Sequence, residues 1–170
     1  MSKESKQFLS FDTKVDQENV DPFIKTLNSL EKNGSPLLEI KITSYGGSVS
    51  HGLALYDAIR LYPGHTRAIV IGTAASMAAV FLQAFDERWA ATHAEITVHN
   101  ISNTFSLDVL RNDTQQQQKI HELEVSQDLI YAILAKRTNL TLKAVKKLCK
   151  EDRAQNAEEA LAIGLIDKIV

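Results

Sequence analysis

The sequence predicts an α/β domain with a largely parallel sheet, and three observations carry that expectation. Strand-like and helix-like periodicities alternate through most of the chain. The strand candidates LLEIKIT and RAIVIG are short and rich in isoleucine and valine, as buried strands are. Two sharp junctions, SYGGSVS and GTAAS, each follow a strand and precede a helix. Sites in such sheets form just past the carboxyl ends of strands. At 170 residues the chain is long enough for one domain with a full core.

The elements follow in order. FLSF (Phe8 to Phe11) reads as a short strand. Val20, Phe23, Ile24, Leu27 and Leu30 fall at helical spacing, and Asn33-Gly34-Ser35-Pro36 ends that helix. Leu37 to Thr43 alternates as a strand, broken by Gly46-Gly47. Val49 to Leu61 is helical, and Tyr62-Pro63-Gly64 turns the chain. Arg67 to Gly72 reads as a buried strand and Ala74 to Phe85 as a buried helix. Trp89 to Thr92 and Glu95 to Ile101 read as two more strands. Asp108 to Arg137 reads as a long polar helix with apolar positions at Ile120, Leu123, Ile130, Ile133 and Leu134. Thr141 to Cys149 and Ala157 to Ile163 are shorter helices, the second stopped by Gly164, and LIDKIV closes as a strand.

Composition narrows the function classes. A net charge of −2 and a pI near 6.2 give no reason to expect nucleic acid or acidic lipid as partner. The single cysteine, Cys149, excludes an internal disulfide. It lies in KKLCKE with no second ligand at metal spacing, and reads as a buried structural thiol. The start, MSKESKQF, has no apolar core of a signal peptide, and the nearly apolar run from Ile71 to Phe85 is too short to cross a bilayer. A soluble, intracellular protein is expected. Gln115 to Gln118 reads as the solvated face of a helix.

Ser76 is the conspicuous polar residue in IGTAASMAAVFLQAF. It is either a small residue where helices touch or a nucleophile at a helix mouth, where free amides and a positive partial charge stabilise an oxyanion. The G-x-S-x-G elbow does not fit, because Gly72 stands four residues before Ser76 and Ala78 two after. Gly46-Gly47 is either a plain turn or a place where bare amides meet a ligand. It is not a phosphate loop of known pattern. A serine nucleophile needs a base. His121 and His65 read as solvated and His51 as a surface or capping residue. His93 lies between two strands, and His99 ends EITVHN, where it can project over a sheet edge. Asp57, Asp86, Asp113, Asp152 and Asp167 all compete as the orienting acid, and spacing does not choose among them.

Four segments, SYGGSVSHGLALYDAIR, GTAASMAAVFLQAF, EITVHN and EDRAQNAEEALAIGLID, resemble in order four motifs of the Clp protease proteolytic subunit. The resemblance runs from about Phe8 to Val170, as a short divergent or viral-type member. It implies a ClpP/crotonase-like spiral of β-β-α units, one domain over residues 1–170, with a protruding helical handle at about 100–137. It implies Ser76 as nucleophile, His99 as base and Asp152 as acid. The amides of Gly47 and Met77 would form the oxyanion hole, and Gly46, Ser48, Val49 and Asn100 would bind substrate. It further implies a serine endopeptidase in heptameric rings, single or stacked as a tetradecamer, fed by a AAA+ unfoldase. The substrate would be peptide or unfolded protein. A cytoplasmic location, with no metal, no cofactor, no nucleic acid and no membrane, also follows from the resemblance.

The chain departs from the family pattern in four places. It starts about twenty residues late, so the axial loops are expected to be missing. The docking-cleft strand carries Glu39 and Lys41 where apolar residues are usual. Tyr45 replaces a proline, and Asn100-Ile101 replaces the Gln-Pro after the base. ISNTFSLDVL replaces a Gly-rich strand of the handle, and the His99–Asp152 stretch is four residues longer. Catalysis is expected to be retained, with docking and ring stacking changed. Two other function classes fit less well. A non-hydrolytic ring subunit that co-assembles with a full-length peptidase need not keep Ser76, His99 and Asp152. A crotonase-type acyl-CoA enzyme gives no reason for them. A Ser-Lys peptidase would need a lysine near either junction, and none is there.

Overall fold

The structure, a computed structural model, describes residues 5–102 and 112–170. In chain order the elements are β1 (Lys6–Phe11), α1 (Gln17–Lys32), β2 (Leu37–Ser44), α2 (Val49–Leu61), β3 (Thr66–Ala75) and α3 (Met77–Phe81). A 3₁₀ turn (Leu82–Ala84) leads to β4 (Glu87–Ala90) and β5 (Glu95–Thr97). Then come α4 (Asp113–Arg137), α5 (Leu142–Glu151), β6 (Ala154–Asn156), α6 (Ala157–Ala162) and β7 (Lys168–Ile169). The sheet runs β1-β2-β3-β4-β7, all parallel, with β5 on β3 and β6 antiparallel to β5. The expected α/β class with mostly parallel pairing is found.

One face of the central strands is apolar and is the face that the helices cover. Leu38, Ile40 and Ile42 of β2, and Ala68 and Val70 of β3, are fully buried. Helices α1 and α2 cover them with Val20, Leu27, Leu55 and Ile59. Phe11 stacks edge-on against Phe23 and Phe81 at 5.4 and 5.3 Å, tying β1 to α1 and α3. Each such large side chain contributes about 1.5–3 kcal/mol by leaving water.

β3 is longer than its sequence suggests, and this shapes the site. The expected strand ended at Gly72 and a helix began at Ala74. Instead Gly72 sits inside the strand at φ +81, a conformation glycine adopts without strain. There the strand exchanges partners. Arg67–Val70 pair with Glu87–Ala90 of β4, while Thr73–Ala75 pair with Glu95–Thr97 of β5. The register to β2 also slips between Ile42 and Ser44, as a β-bulge produces. Ala74 and Ala75 are therefore sheet residues, and the helix they were expected to open starts at Met77.

Other boundaries moved by a few residues. β4 covers Glu87–Ala90 rather than Trp89 to Thr92, and β5 stops at Thr97, so His99 lies beyond the ladder. Asn112 caps α4 by accepting a hydrogen bond from the Gln115 amide at 3.0 Å. The expected start at Asp108, and most of ISNTFSLDVL, lie outside the described residues. In α4, Ile130 and Leu134 pack into the core, whereas Ile120, Val125 and Leu129 are exposed.

Arg88 locks the carboxyl-terminal segment. It is 5 % exposed. Its guanidinium donates to both Asp167 oxygens, to the Gly164 and Arg137 carbonyls, and to Gln83 Oε1. Burial alone would raise the Asp167 carboxyl, but the hydrogen bonds from the Arg88 side chain and amide overcome it and hold it low.

Candidate active site

The strand-to-helix junction at Ser76 leaves no room for a loop. β3 ends at Ala75, α3 starts at Met77, and Ser76 alone makes the turn at φ 57, ψ −126. A non-glycine residue there is strained by about 1–3 kcal/mol, and such strain concentrates at functional sites. Three bonds over-determine it. Ser76 N donates to Thr97 O at 2.8 Å, and Ser76 O accepts from the amides of Ala79 and Val80 at 3.0 and 3.2 Å. Among the described residues the serine side chain makes no cap bond and no other hydrogen bond.

Two glycines let the neighbouring backbone close in. A Cβ on Gly46 would stand 2.6–2.8 Å from Ala75 O, Ser76 Cβ and Met77 N. A Cβ on Gly47 would stand 2.3 Å from Val15 O. Val15 N donates to Gly46 O and Ser48 N donates to Val15 O, which holds the segment in an isolated parallel bridge. Among the described residues no hydrogen bond takes up the amides of Gly47 or Met77. Both residues line one small cavity of about 80 Å³ together with Ser76, His99 and Val49. A wider cleft of about 730 Å³ continues from Gly47, Ser48 and Val49 to Lys119 and Glu122 on α4.

His99 reaches this cavity because β5 pairs with the end of β3. Its Nδ1 is 2.7 Å from the Asn100 carbonyl oxygen. A carbonyl only accepts, so in this contact Nδ1 carries a proton, and in the neutral ring Nε2 then holds the lone pair. Among the described residues no hydrogen bond joins the ring to Ser76 Oγ or to Asp152. Asp152 ends α5 in the left-handed conformation, φ 47. The last β5–β6 pair is Thr97 with Ala154. His99 and Asp152 each lie two residues beyond that pair, outside the ladder.

The remaining candidates separate. His51 Nδ1 is 2.9 Å from Ser48 Oγ, and Ser48 caps α2. His65 contacts Glu87 at 2.7 Å and Asp86 at 3.6 Å. His93 and His121 are exposed. Asp86 accepts from Thr66 N and Oγ1, Asp167 holds Arg88, and Asp57 and Asp113 are exposed. Asn100 does not line the small cavity. Cys149 is buried, and burial pushes its thiol up to about 11, so it stays protonated. Among the described residues no cluster of three metal-ligating side chains occurs, and no helix is long and apolar enough to cross a membrane.

Comparison with known proteins identifies the family. The family model described as Clp protease matches residues 2–170. The chain belongs to the Clp protease family. It is 29% identical over 163 residues to the ATP-dependent Clp protease proteolytic subunit 2 of Chlamydia trachomatis serovar D, covering 92% of this chain and 78% of that protein. The serovar A protein matches to the same extent, and so does that of Chlamydia muridarum.

Within this Clp protease chain, the strand expected to dock an unfoldase carries a row of paired charges. Phe8, Glu39, Arg67 and Glu87 stand in register across β1 to β4. Glu39 is contacted by Lys6 at 2.9 Å and by Arg67 at 3.1 Å, and Arg67 also reaches Glu87 at 3.0 Å. Glu39 thus pairs with neighbouring strands and not with Lys41, which is exposed. Burial would raise the Glu39 carboxyl, and the Lys6 and Arg67 hydrogen bonds lower it further than that. Arg67 also lies over Trp89, 3.9 Å from the ring centre.

Sequence reasoning missed two side chains beside His99. Ile101 N donates to Gln127 Oε1 at 2.5 Å, and Tyr131 Oη donates to Asn100 Oδ1 at 2.7 Å. Their spacing of four residues on one helix was legible, but not what it faced.

Proposed function

We propose that this peptidase cleaves peptide bonds of peptides or unfolded chains through Ser76, His99 and Asp152, inside an oligomeric ring. The observation that carries the reading is the strained Ser76 turn with two unpaired amides and His99 on one cavity. Ser76 Oγ attacks the scissile carbonyl while His99 Nε2 takes its proton and later returns it to the leaving amine. The amides of Gly47 and Met77 receive the oxyanion, each such donor being worth about 3 kcal/mol in the transition state. Asp152, which like His99 follows the end of the β5–β6 ladder by two residues, is the acid that stabilises the imidazolium in this reading. Gly46, Ser48, Val49 and Asn100 form the edge along which an extended peptide lies, and the 730 Å³ cleft toward α4 gives it room.

The ring is a homo-oligomer, heptameric by resemblance, and the compartment is the cytoplasm. A fluorophosphonate probe should label the wild type and leave Ser76→Ala unlabelled. Equal labelling of both would remove Ser76 from the role. No labelling and no peptide hydrolysis by the wild type would favour a non-hydrolytic ring subunit.

A further inference from the structure

On the strength of the peptidase reading, we propose that Tyr45 is the specificity residue for the leaving-group side of the cut bond. With Thr43 and Ile71 beside it, it selects a bulky apolar residue directly after that bond.

Tyr45 is an exposed aromatic side chain next to the nucleophile's own backbone. It is 83% exposed, although its backbone is pinned on both sides. Before it, Ser44 pairs with Ala74 of β3, and the Ser44 hydroxyl donates to Thr13 O at 2.5 Å. After it, Gly46 N donates to Ser44 Oγ at 3.1 Å, and Gly46 O accepts from Val15 N at 2.9 Å. Gly46 touches the nucleophile: a Cβ there would stand 2.7 Å from Ser76 Cβ. Tyr45 Cα is one peptide further along, within about 8 Å of Ser76 Cβ. A tyrosine side chain spans most of that distance. A ring with an apolar body and a polar tip, held on a fixed backbone, binds a partner at little ordering cost. The device belongs to this sequence, since the family pattern has a proline where Tyr45 stands.

The two cavities decide which side of the cut bond Tyr45 serves. Both include Gly47 and Val49, and Tyr45 lines neither. The small cavity surrounds Ser76 with Val80, Val98, Ile130 and Leu134, so it takes the side chain of the residue whose carbonyl is attacked. That carbonyl oxygen is received at the Gly47 amide. From Gly47 the edge runs two ways. One leads to Ser48 and Val49, where the wide cleft opens. The other leads to Gly46 and Tyr45. An extended peptide with its acyl part on the first side sends its leaving amine along the second.

A receptive surface lies there. Thr43 and Tyr45 alternate with the buried Ile42 and Ser44, so both face the side of the sheet that the helices leave uncovered. Thr43 Oγ1 donates to Ile71 O, which ties Ile71, 42% exposed, to the same patch. Next to Ile71, a Cβ on Gly72 would meet only Thr43 Cγ2, at 3.7 Å. Tyr45, the Thr43 methyl group and Ile71 thus frame a shallow apolar place with open space over Gly72. Each methylene that leaves water there adds to binding of the leaving residue.

The test uses the assembled protein and reads the leaving-group side alone. An acyl-peptide methyl ester forms the acyl-enzyme, which then partitions between water and an added amino-acid amide. In aminolysis the amine nitrogen bonds to the acyl carbon as the bond to Ser76 Oγ breaks, and the amine proton passes through His99 to that oxygen. Every amine meets the same acyl-enzyme, so changes in acylation cancel in the ratio of products. In the wild type, phenylalaninamide and leucinamide should capture the acyl group about tenfold better than glycinamide. Tyr45→Ala should bring that preference to within about twofold, and Tyr45→Phe, which keeps the ring, should preserve it. Native mass should be the same for all three proteins. An unchanged preference in Tyr45→Ala would overturn the proposal, as would a wild type that favours glycinamide. A smaller native mass for Tyr45→Ala would make Tyr45 an assembly contact and overturn it too. A wild type that neither hydrolyses the ester nor takes up a fluorophosphonate would remove the peptidase reading together with this one, whereas ester hydrolysis without preference among amines removes this one alone.

Discussion

Arg67 on β3 donates to Glu39 on β2 at 3.1 Å, and both side chains are mostly out of solvent. The pair lies on the strand face where an unfoldase loop would dock if this chain followed the family pattern. Covering it would strip water from Glu39, Arg67 and Lys6 without offering them new partners.

ATP-dependent degradation should therefore be poor. A tagged folded substrate should survive incubation with this chain, a AAA+ Clp unfoldase and ATP, while short peptides are cleaved without either. Adding a catalytically dead full-length subunit, which supplies an apolar cleft in mixed rings, should restore degradation. Robust degradation before that addition would show that the charged row does not prevent docking.

The Ser76 turn should be a measurable strain. Ser76→Gly and Ser76→Ala should both abolish hydrolysis. Glycine adopts φ 57, ψ −126 freely, so the Gly variant should melt higher than the Ala variant. A difference of about 1 kcal/mol corresponds to an apparent Tm gap of about 2–4 °C for a chain of this size. Identical melting would mean that the turn stores no strain. Gly46→Ala should act oppositely, because its Cβ would press on Ala75 O and Met77 N. Loss of activity with a lowered Tm is expected, and a silent Gly46→Ala would contradict the packing.

Stability should fall in acid. The carboxyls of Asp167, Glu39 and Glu87 are all held below their ordinary values, Glu87 chiefly by its Arg67 hydrogen bond. A folded-state pKa below the unfolded one gives stability that is complete above the unfolded value and is lost as pH falls through the folded one. Apparent Tm should stay level from neutrality to about pH 5 and drop below about pH 4. Asp167→Asn should melt lower at pH 7 and show a shallower acid drop. Arg88→Ala should cost about 3 kcal/mol or more, since it strips partners from a buried network. An Asp167→Asn curve parallel to wild type would assign the acid transition elsewhere.

Assembly should depend on the outer face of α4. Val125 and Leu129 are 56% and 48% exposed on that helix, while Ile130 and Leu134 hold it to its own core. Val125→Glu or Leu129→Glu should shift the native mass toward smaller species and leave the far-ultraviolet circular dichroism unchanged. A wild-type protein that sediments as a monomer at micromolar concentration would refute the ring.

Local pattern determined much of this protein. The 3.6-residue spacing placed α2 to the residue and the middle of α1, whose ends at Gln17 and Lys32 lie beyond the expected Val20 to Leu30, because an amphipathic stripe depends only on neighbours along the chain. Isoleucine-rich runs located β2 and the first half of β3, and Ser76 was expected in the first turn of a helix begun at Ala74, whereas it is the single residue between strand and helix. Its strain was not legible. φ 57 at Ser76 follows from β3 continuing past Gly72 to pair with β5, a contact between segments about twenty residues apart that no local period encodes. The same holds for the ring of partners around Arg88, drawn from Gln83, Arg137, Gly164 and Asp167. It holds too for the peptide shared by His99 and Gln127. The residues by themselves offered a serine, five histidines and five competing aspartates. Strand register and helix docking brought Ser76 and His99 to one cavity and took Asp86 and Asp167 to other partners, because a side chain's partner is chosen by the fold that brings two distant backbones within reach.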